Sequence, residues 1–236
     1  MNTILFDLDG TLLSFDQEIF VKNYMEAITE KLSPLGYPPK TLMKAIWTGT
    51  EAMVQNDGSM TNEKRFWQVF AGILGNEIIE KEPLFNEFYL NEFKNLGNDI
   101  IPNPLVAKCI RILKEKGYTI AAATNPLFPM AATLARMEWA GIEPDNFTLI
   151  TSYEESSYCK PNLNYYREIL EKLKKEPQEC MMVGNDVSED MCAAELGMDT
   201  FLLTSHVINK HNIDIAQFKN GNYTALYNHL NQLPKL

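Results

Sequence analysis

No stretch of this chain approaches the roughly 18 consecutive apolar residues that a membrane-spanning helix needs, so a helical integral membrane protein is excluded. Histidine is scarce: His206, His211 and His229 are the three present, all late in the chain, and surface roles are expected for them. Cysteine is sparse too. Cys109, Cys159, Cys180 and Cys192 form no C-x-x-C pair, which argues against zinc and redox motifs and for four reduced, mostly buried thiols. Positive charge is in deficit, with 21 basic against 31 acidic residues and a net charge of −10. A field of that sign repels nucleic acid and acidic membrane surfaces. It also repels phosphate esters, so a phosphorylated substrate would need local cations, a metal ion and a nearby lysine. The opening Met-Asn-Thr-Ile-Leu-Phe-Asp has no basic start, unlike a secretory signal, and a cytoplasmic location is expected.

What is present is ordinary soluble-protein composition, 45% hydrophobic and 22% charged over 236 residues. That length suits one large domain or a core with a smaller insert. The short apolar run Ile4-Leu5-Phe6 suits a buried parallel strand. Helical periodicity follows: Val21, Met25, Ile28 and Leu32 share one face, as do Phe66, Phe70, Ile73 and Leu74, then Phe85, Tyr89, Phe93 and Leu96. No strand is evident there, so residues 16–100 are expected to form an all-helical insert of about four helices. Ile101-Pro102-Asn103-Pro104 reads as a stiff return linker. From Leu105 onward helices alternate with strands, expected at Tyr118–Ala123, Phe147–Ile150, Cys180–Val183 and Thr200–Leu203, with a helix at Glu189–Leu196 and another near Tyr223–Leu233. The fold class is therefore α/β, a Rossmann-like three-layer core built on a parallel sheet from residues 1–15 and 101–236.

Each of these strands but the last runs into polar residues. The first leads into Asp7-Leu8-Asp9-Gly10-Thr11, the second into Thr124-Asn125, the third through a loop into Lys160-Pro161, and the fourth into Gly184-Asn185-Asp186 and Asp190. In an open parallel sheet the carboxyl ends share one edge, where ligands bind. Carboxylates gathered there repel one another unless a proton or cation intervenes, and oxygen ligands without histidine suit magnesium. A carboxylate is already an anion at neutral pH and can attack phosphorus without a separate base, and a second carboxyl can pass the proton. Taken singly, each segment has a plainer reading. Asp-Gly makes turns, Thr124 can cap a helix, Lys160 can be a loop lysine, and Asp186 or Ser188 can cap the helix that follows.

Together the four segments resemble the haloacid dehalogenase superfamily, in its phosphatase branch. Asp7-x-Asp9-Gly10-Thr11 is the most specific of the matches. The resemblance implies Asp7 as nucleophile and aspartyl-phosphate carrier, and Asp9 as general acid and base. It implies Thr124, Asn125 and Lys160 as substrate contacts, and Mg2+ held by Asp7, the Asp9 carbonyl and Asp186. Asn185 stands where the family often has an acid, which leaves the shares of Asn185, Asp186 and Asp190 open. The helical insert resembles the family's mobile cap. A small phosphorylated metabolite is the implied substrate. On the same scaffold a phosphonatase using Lys22, Lys31, Lys40 or Lys44, a phosphomutase, and a non-catalytic binding module remain alternatives, while Asp9 argues against a dehalogenase. In the insert, Trp47, Arg65, Phe66 and Trp67 are candidate substrate contacts, although cap core and cap surface are the plainer assignments.

Overall fold

The computed structural model describes residues 1–236. Six parallel strands form one sheet in the order β3-β2-β1-β4-β5-β6. They are β1 (Thr3–Phe6), β2 (Thr119–Ala122), β3 (Leu149–Ile150), β4 (Cys180–Gly184), β5 (Asp199–Leu203) and β6 (Asn220–Gly221). β1 lies between β2 and β4, and every one of its residues is buried. A strand covered on both faces needs an unbroken apolar run, which Ile4-Leu5-Phe6 supplies. Alternation then sends Ile4 and Phe6 into one core and Leu5 into the other.

The eight helices are α1 (Gln17–Leu32), α2 (Pro39–Val54), α3 (Asn62–Leu74), α4 (Glu82–Leu90), α5 (Pro104–Lys116), α6 (Met130–Trp139), α7 (Leu163–Leu173) and α8 (Tyr223–Gln232). α5, α6 and α8 contribute to the larger core, on the Ile4/Phe6 face, and α7 closes the smaller one on the Leu5 face. The result is a three-layer Rossmann-like core. Between β1 and α5 the chain is helical, with α1–α4 joined by short 3-10 turns and, between α2 and α3, by a loop, and no strand. This inserted cap packs on the core through aromatic rings. Phe93 stacks on Trp139 of α6 with centroids 5.2 Å apart, and Phe20 meets Trp139 at 6.0 Å. Asn62, fully buried at the start of α3, donates to the Pro126 carbonyl at 3.2 Å and so ties the cap to the loop after β2.

Three expectations need correction. The predicted helix at Glu189–Leu196 is a turn followed by a 3-10 stretch, Met191–Leu196. Asp186 Oδ1 takes the Ser188 and Glu189 amides, and Gly197 ends the segment at φ +90°, leaving too little length for an α-helix. The face Phe85–Leu96 is divided between α4 and a separate 3-10 turn, Glu92–Gly97. β6 is an additional strand whose two polar residues give no apolar signal. No helix is long and apolar enough to cross a membrane. All four cysteines are free, and only Cys192 is not fully buried.

Candidate active site

Register decides which residues meet at the sheet edge. Phe6 is level with Ala122 on one side and Val183 on the other. The next residue on each strand, Asp7, Ala123 and Gly184, therefore emerges at the same height, with Asp7 N donating to Val183 O and Ala123 N to Phe6 O. Beyond Asp7 the chain folds back tightly. Gly10 N donates to Leu13 O, and buried Leu8, Leu12 and Leu13 anchor the turn. Gly10 has φ +87°, and a Cβ there would meet Asn185 Nδ2 at 2.4 Å, so glycine is required on both counts. A cleft of about 250 Å³ opens above this edge, bordered by Asp7, Asp9, Thr124, Asn125, Asn185, Asp186, Glu189 and Asp190.

Lys160 reaches the cluster from beneath. Its Nζ lies 2.9 Å from Asp7 Oδ1 and 2.6 Å from Asp190 Oδ1, and the side chain is 1% exposed. Burial opposes the ammonium, yet Asp190 and Asp7 hold it well above the ordinary lysine range. Burial raises the Asp190 carboxyl above the usual range, against the pull of Lys160. Its Oδ2 accepts from Asp186 N at 2.9 Å, so both oxygens are committed within the protein. A Cβ on Gly184 would strike Asp190 Oδ2 at 2.1 Å, which explains glycine at the end of β4. Thr124 is positioned through its carbonyl, which accepts from Thr151 Oγ1 at 2.7 Å and Tyr165 Oη at 2.8 Å.

Asp9 sits differently. Its Oδ2 is paired with Arg136 Nη1 from α6, while Oδ1 is buried with no hydrogen-bond partner. Burial raises the Asp9 carboxyl above the usual range; Arg136 opposes this and Asp7 adds to it. Arg136 is itself fully buried, held by Thr133 Oγ1 at 3.2 Å and packed over the Phe128 ring at 4.6 Å. The Asp9 carbonyl accepts from Gln17 Nε2 of α1 at 2.8 Å, so the cap's first helix also touches this residue.

These residues fit a hard cation. No three histidine, cysteine or acidic side chains are gathered closely enough to hold a metal by themselves. Asp7 Oδ2 and Asp186 Oδ2 accept no hydrogen bond within the protein, and the Asp9 carbonyl keeps a second lone pair. Two carboxylate oxygens and one carbonyl make an oxygen-only set of the kind magnesium takes, completed by water. Asn185 is spent elsewhere: Oδ1 accepts from Thr11 Oγ1 at 3.0 Å and Nδ2 donates to His206 O at 2.8 Å.

The family model for haloacid dehalogenase-like hydrolases matches residues 1–197. The chain belongs to that family. A glyceraldehyde 3-phosphate phosphatase from Methanothermobacter thermautotrophicus is 24% identical to this hydrolase over 100% of the chain and 99% of that protein. A phosphoglycolate phosphatase from Aquifex aeolicus is 23% identical, covering 86% of this chain and 84% of that one. The crystal structure of a HAD phosphatase from Thermococcus onnurineus has the same fold, with TM-score 0.63, 19% identity and full coverage of both chains.

The hydrolase thus brings Asp7, Asp9, Thr124, Asn125, Lys160 and Asp186 to one place. Asn125, a predicted substrate contact, has its side chain engaged: Nδ2 donates to Glu189 Oε2 at 3.0 Å and Oδ1 accepts from Lys160 N at 3.2 Å. In the cap, Arg65 is tied to Asp57 at 3.1 Å and Trp47 is half exposed, while Phe66 and Trp67 border an apolar cavity. Lys31 pairs with Glu87 and Glu92, and neither it nor Lys22, Lys40 or Lys44 borders this cleft. His206 Nε2 lies 2.6 Å from Ser14 Oγ and His229 stacks on Phe201 at 5.6 Å, so these two rings pack rather than simply lie on the surface. Sequence reasoning missed Arg136, Glu189 and Lys210. A charge flanked by Ala132, Ala135, Met137 and Trp139 was the available signal for Arg136.

Proposed function

We propose that this hydrolase is a magnesium-dependent phosphatase that cleaves a small phosphomonoester through an aspartyl-phosphate on Asp7. The observation that carries the reading is the buried Lys160 ammonium held between Asp7 and Asp190 at the floor of a cleft that Asp9, Thr124 and Asp186 also border. In the first step an Asp7 carboxylate oxygen attacks phosphorus and the bond from phosphorus to the alcohol oxygen breaks. Asp9 gives its proton to the departing alkoxide, a role favoured by burial, which raises its carboxyl above the usual range. In the second step Asp9 takes a proton from water, the water oxygen attacks phosphorus, the bond to Asp7 breaks and phosphate leaves.

Lys160 orients Asp7 and balances negative charge in a dry site, and the Thr124 hydroxyl donates to a phosphoryl oxygen. Asp7, Asp186 and the Asp9 carbonyl would hold magnesium, which when bound supplies positive charge to the transferring phosphoryl group. Asp190, with both oxygens used, anchors Lys160 and the Asp186 backbone instead of ligating. We assign the core to residues 1–15 and 101–236 and the cap to 16–100, with the cap excluding water. Four unpaired thiols agree with a cytoplasmic setting. The phosphonatase alternative loses support because none of its four lysines borders the cleft. Asp7→Asn keeps the size and removes the anion. Its phosphate release should fall to background with every ester, and turnover near the parent's rate would refute the assignment.

A further inference from the structure

Next to the catalytic cleft lies a second cavity of about 150 Å³ that the chemistry above does not use. All but one of its fourteen lining residues are hydrophobic, the exception being Thr50, and no charged group borders it. Trp67, Phe66, Phe85 and Tyr153 supply much of the wall. Three of its hydroxyls are satisfied internally: Thr50 Oγ1 donates to Ile46 O at 2.9 Å, and the Tyr24 and Tyr89 hydroxyls pair at 2.8 Å, while Trp67 Nε1 is a buried donor without a partner. A mainly aromatic and aliphatic cavity of this size has room for a single ring; about 150 Å³ is enough for benzene.

The two cavities meet at Val21, Leu127 and Phe128, which border both. Asp9 must face the leaving oxygen, and its carbonyl is held by Gln17 in the first turn of α1. Val21 lies four residues further, on the same helix face one turn along. Through Val21, Leu127 and Phe128 the apolar cavity is the space next to the cleft into which a leaving alcohol could extend. The wider groove beyond it, also bordered by Val21, carries Glu18, Glu26 and Lys22, so its charge is net negative. Neither space offers a net positive site for a carboxylate or a second phosphate on the alcohol.

We propose that the alcohol part of the substrate is a neutral, compact apolar group of about one ring, seated among Val21, Phe66, Trp67 and Phe128. This rests on the phosphatase reading and narrows it. It separates the chain from the relatives named for glycolate and glyceraldehyde substrates, whose alcohols are polar.

The test compares kcat/KM for benzyl phosphate, ethyl phosphate and 2-phosphoglycolate with the full chain and magnesium. Benzyl and ethyl alcohols are similar leaving groups, so their ratio reads the pocket and not the chemistry. Benzyl phosphate is expected to lead ethyl phosphate by about tenfold or more, with 2-phosphoglycolate the poorest. Thr50→Phe, which fills the cavity, should pull the benzyl-to-ethyl ratio toward one, and this ratio is independent of how much enzyme folds. Equal rates on benzyl and ethyl phosphate, or a ratio that Thr50→Phe leaves unmoved, would overturn the assignment while leaving phosphatase activity intact. A lead for 2-phosphoglycolate would overturn it as well and would hand the second anion to Lys210, the exposed cation on the rim of the catalytic cleft. Release of phosphate from none of the three would remove the phosphatase reading, and this inference with it.

Discussion

The catalytic cleft and the apolar cavity share three wall residues and differ in almost every other respect. The cleft gathers five acidic residues at the end of a sheet, and their side chains are braced by protein groups: Asp7 by Lys160, Asp9 by Arg136, Asp186 by the Ser188 and Glu189 amides, Asp190 by Lys160 and the Asp186 amide, Glu189 by Asn125. The cavity is walled by aromatic and aliphatic side chains with no charge among them. The contrast reflects two kinds of scaffold. Strand register fixes polar groups to within fractions of an ångström, which charge chemistry needs. Helix faces in the cap provide shape and dryness, which selection of an apolar group needs.

That division predicts that substitutions of similar cost to stability differ widely in their cost to turnover. The largest effect on turnover is expected at Lys160. Lys160→Met leaves Asp7 and Asp190 facing each other in a buried site, so phosphate release should fall by at least about a hundredfold to a thousandfold. Urea unfolding should also register a loss of about 3–5 kcal/mol, the usual result of removing one partner from a buried pair.

A smaller effect is expected where cap and core meet. Arg136 pulls the Asp9 carboxyl down against burial, so without it Asp9 keeps its proton to higher pH. Protonated Asp9 is the acid of the first step. Arg136→Met should therefore move the alkaline limb of kcat/KM to higher pH and lower kcat about tenfold, as read from a pH–rate profile. A profile that keeps its shape while activity drops would assign Arg136 to packing alone.

The smallest effect on turnover is expected deep in the cap. Leu42 is fully buried in α2 and borders neither cavity. Leu42→Ala should cost about 2–5 kcal/mol of stability, yet ethyl phosphate turnover at a temperature where the protein stays folded should change by less than about threefold. A large kcat loss there would mean that the cap positions the reacting groups directly.

Much of the cleft was legible in the sequence because its signals are local. Asp7-x-Asp9-Gly10-Thr11 follows an apolar run, and Thr124, Lys160 and Asp186 each follow a predicted strand. Register then brings them together without further information. What was not legible depends on packing. Arg136 stands in a helix that reads as core, and only the assembled fold shows its guanidinium meeting Asp9. The commitment of Asn125, Asn185 and Asp190 to internal hydrogen bonds joins residues far apart in the chain. The apolar cavity draws on α1, α2, α3, α4 and two core loops, and no single helix periodicity distinguishes a residue lining a space from one filling a core. β6 was missed because two polar residues give no strand pattern.

The role of Asp7 is tested most directly by stopping turnover in acid and weighing the peptides. An acyl phosphate survives brief acid quenching, so the peptide containing Asp7 should carry one phosphoryl group during steady turnover of ethyl phosphate with magnesium. The mark should be absent without substrate and absent in Asp7→Asn. Phosphate released at full rate with no phosphoryl group on that peptide, or with the group on another residue, would contradict the account.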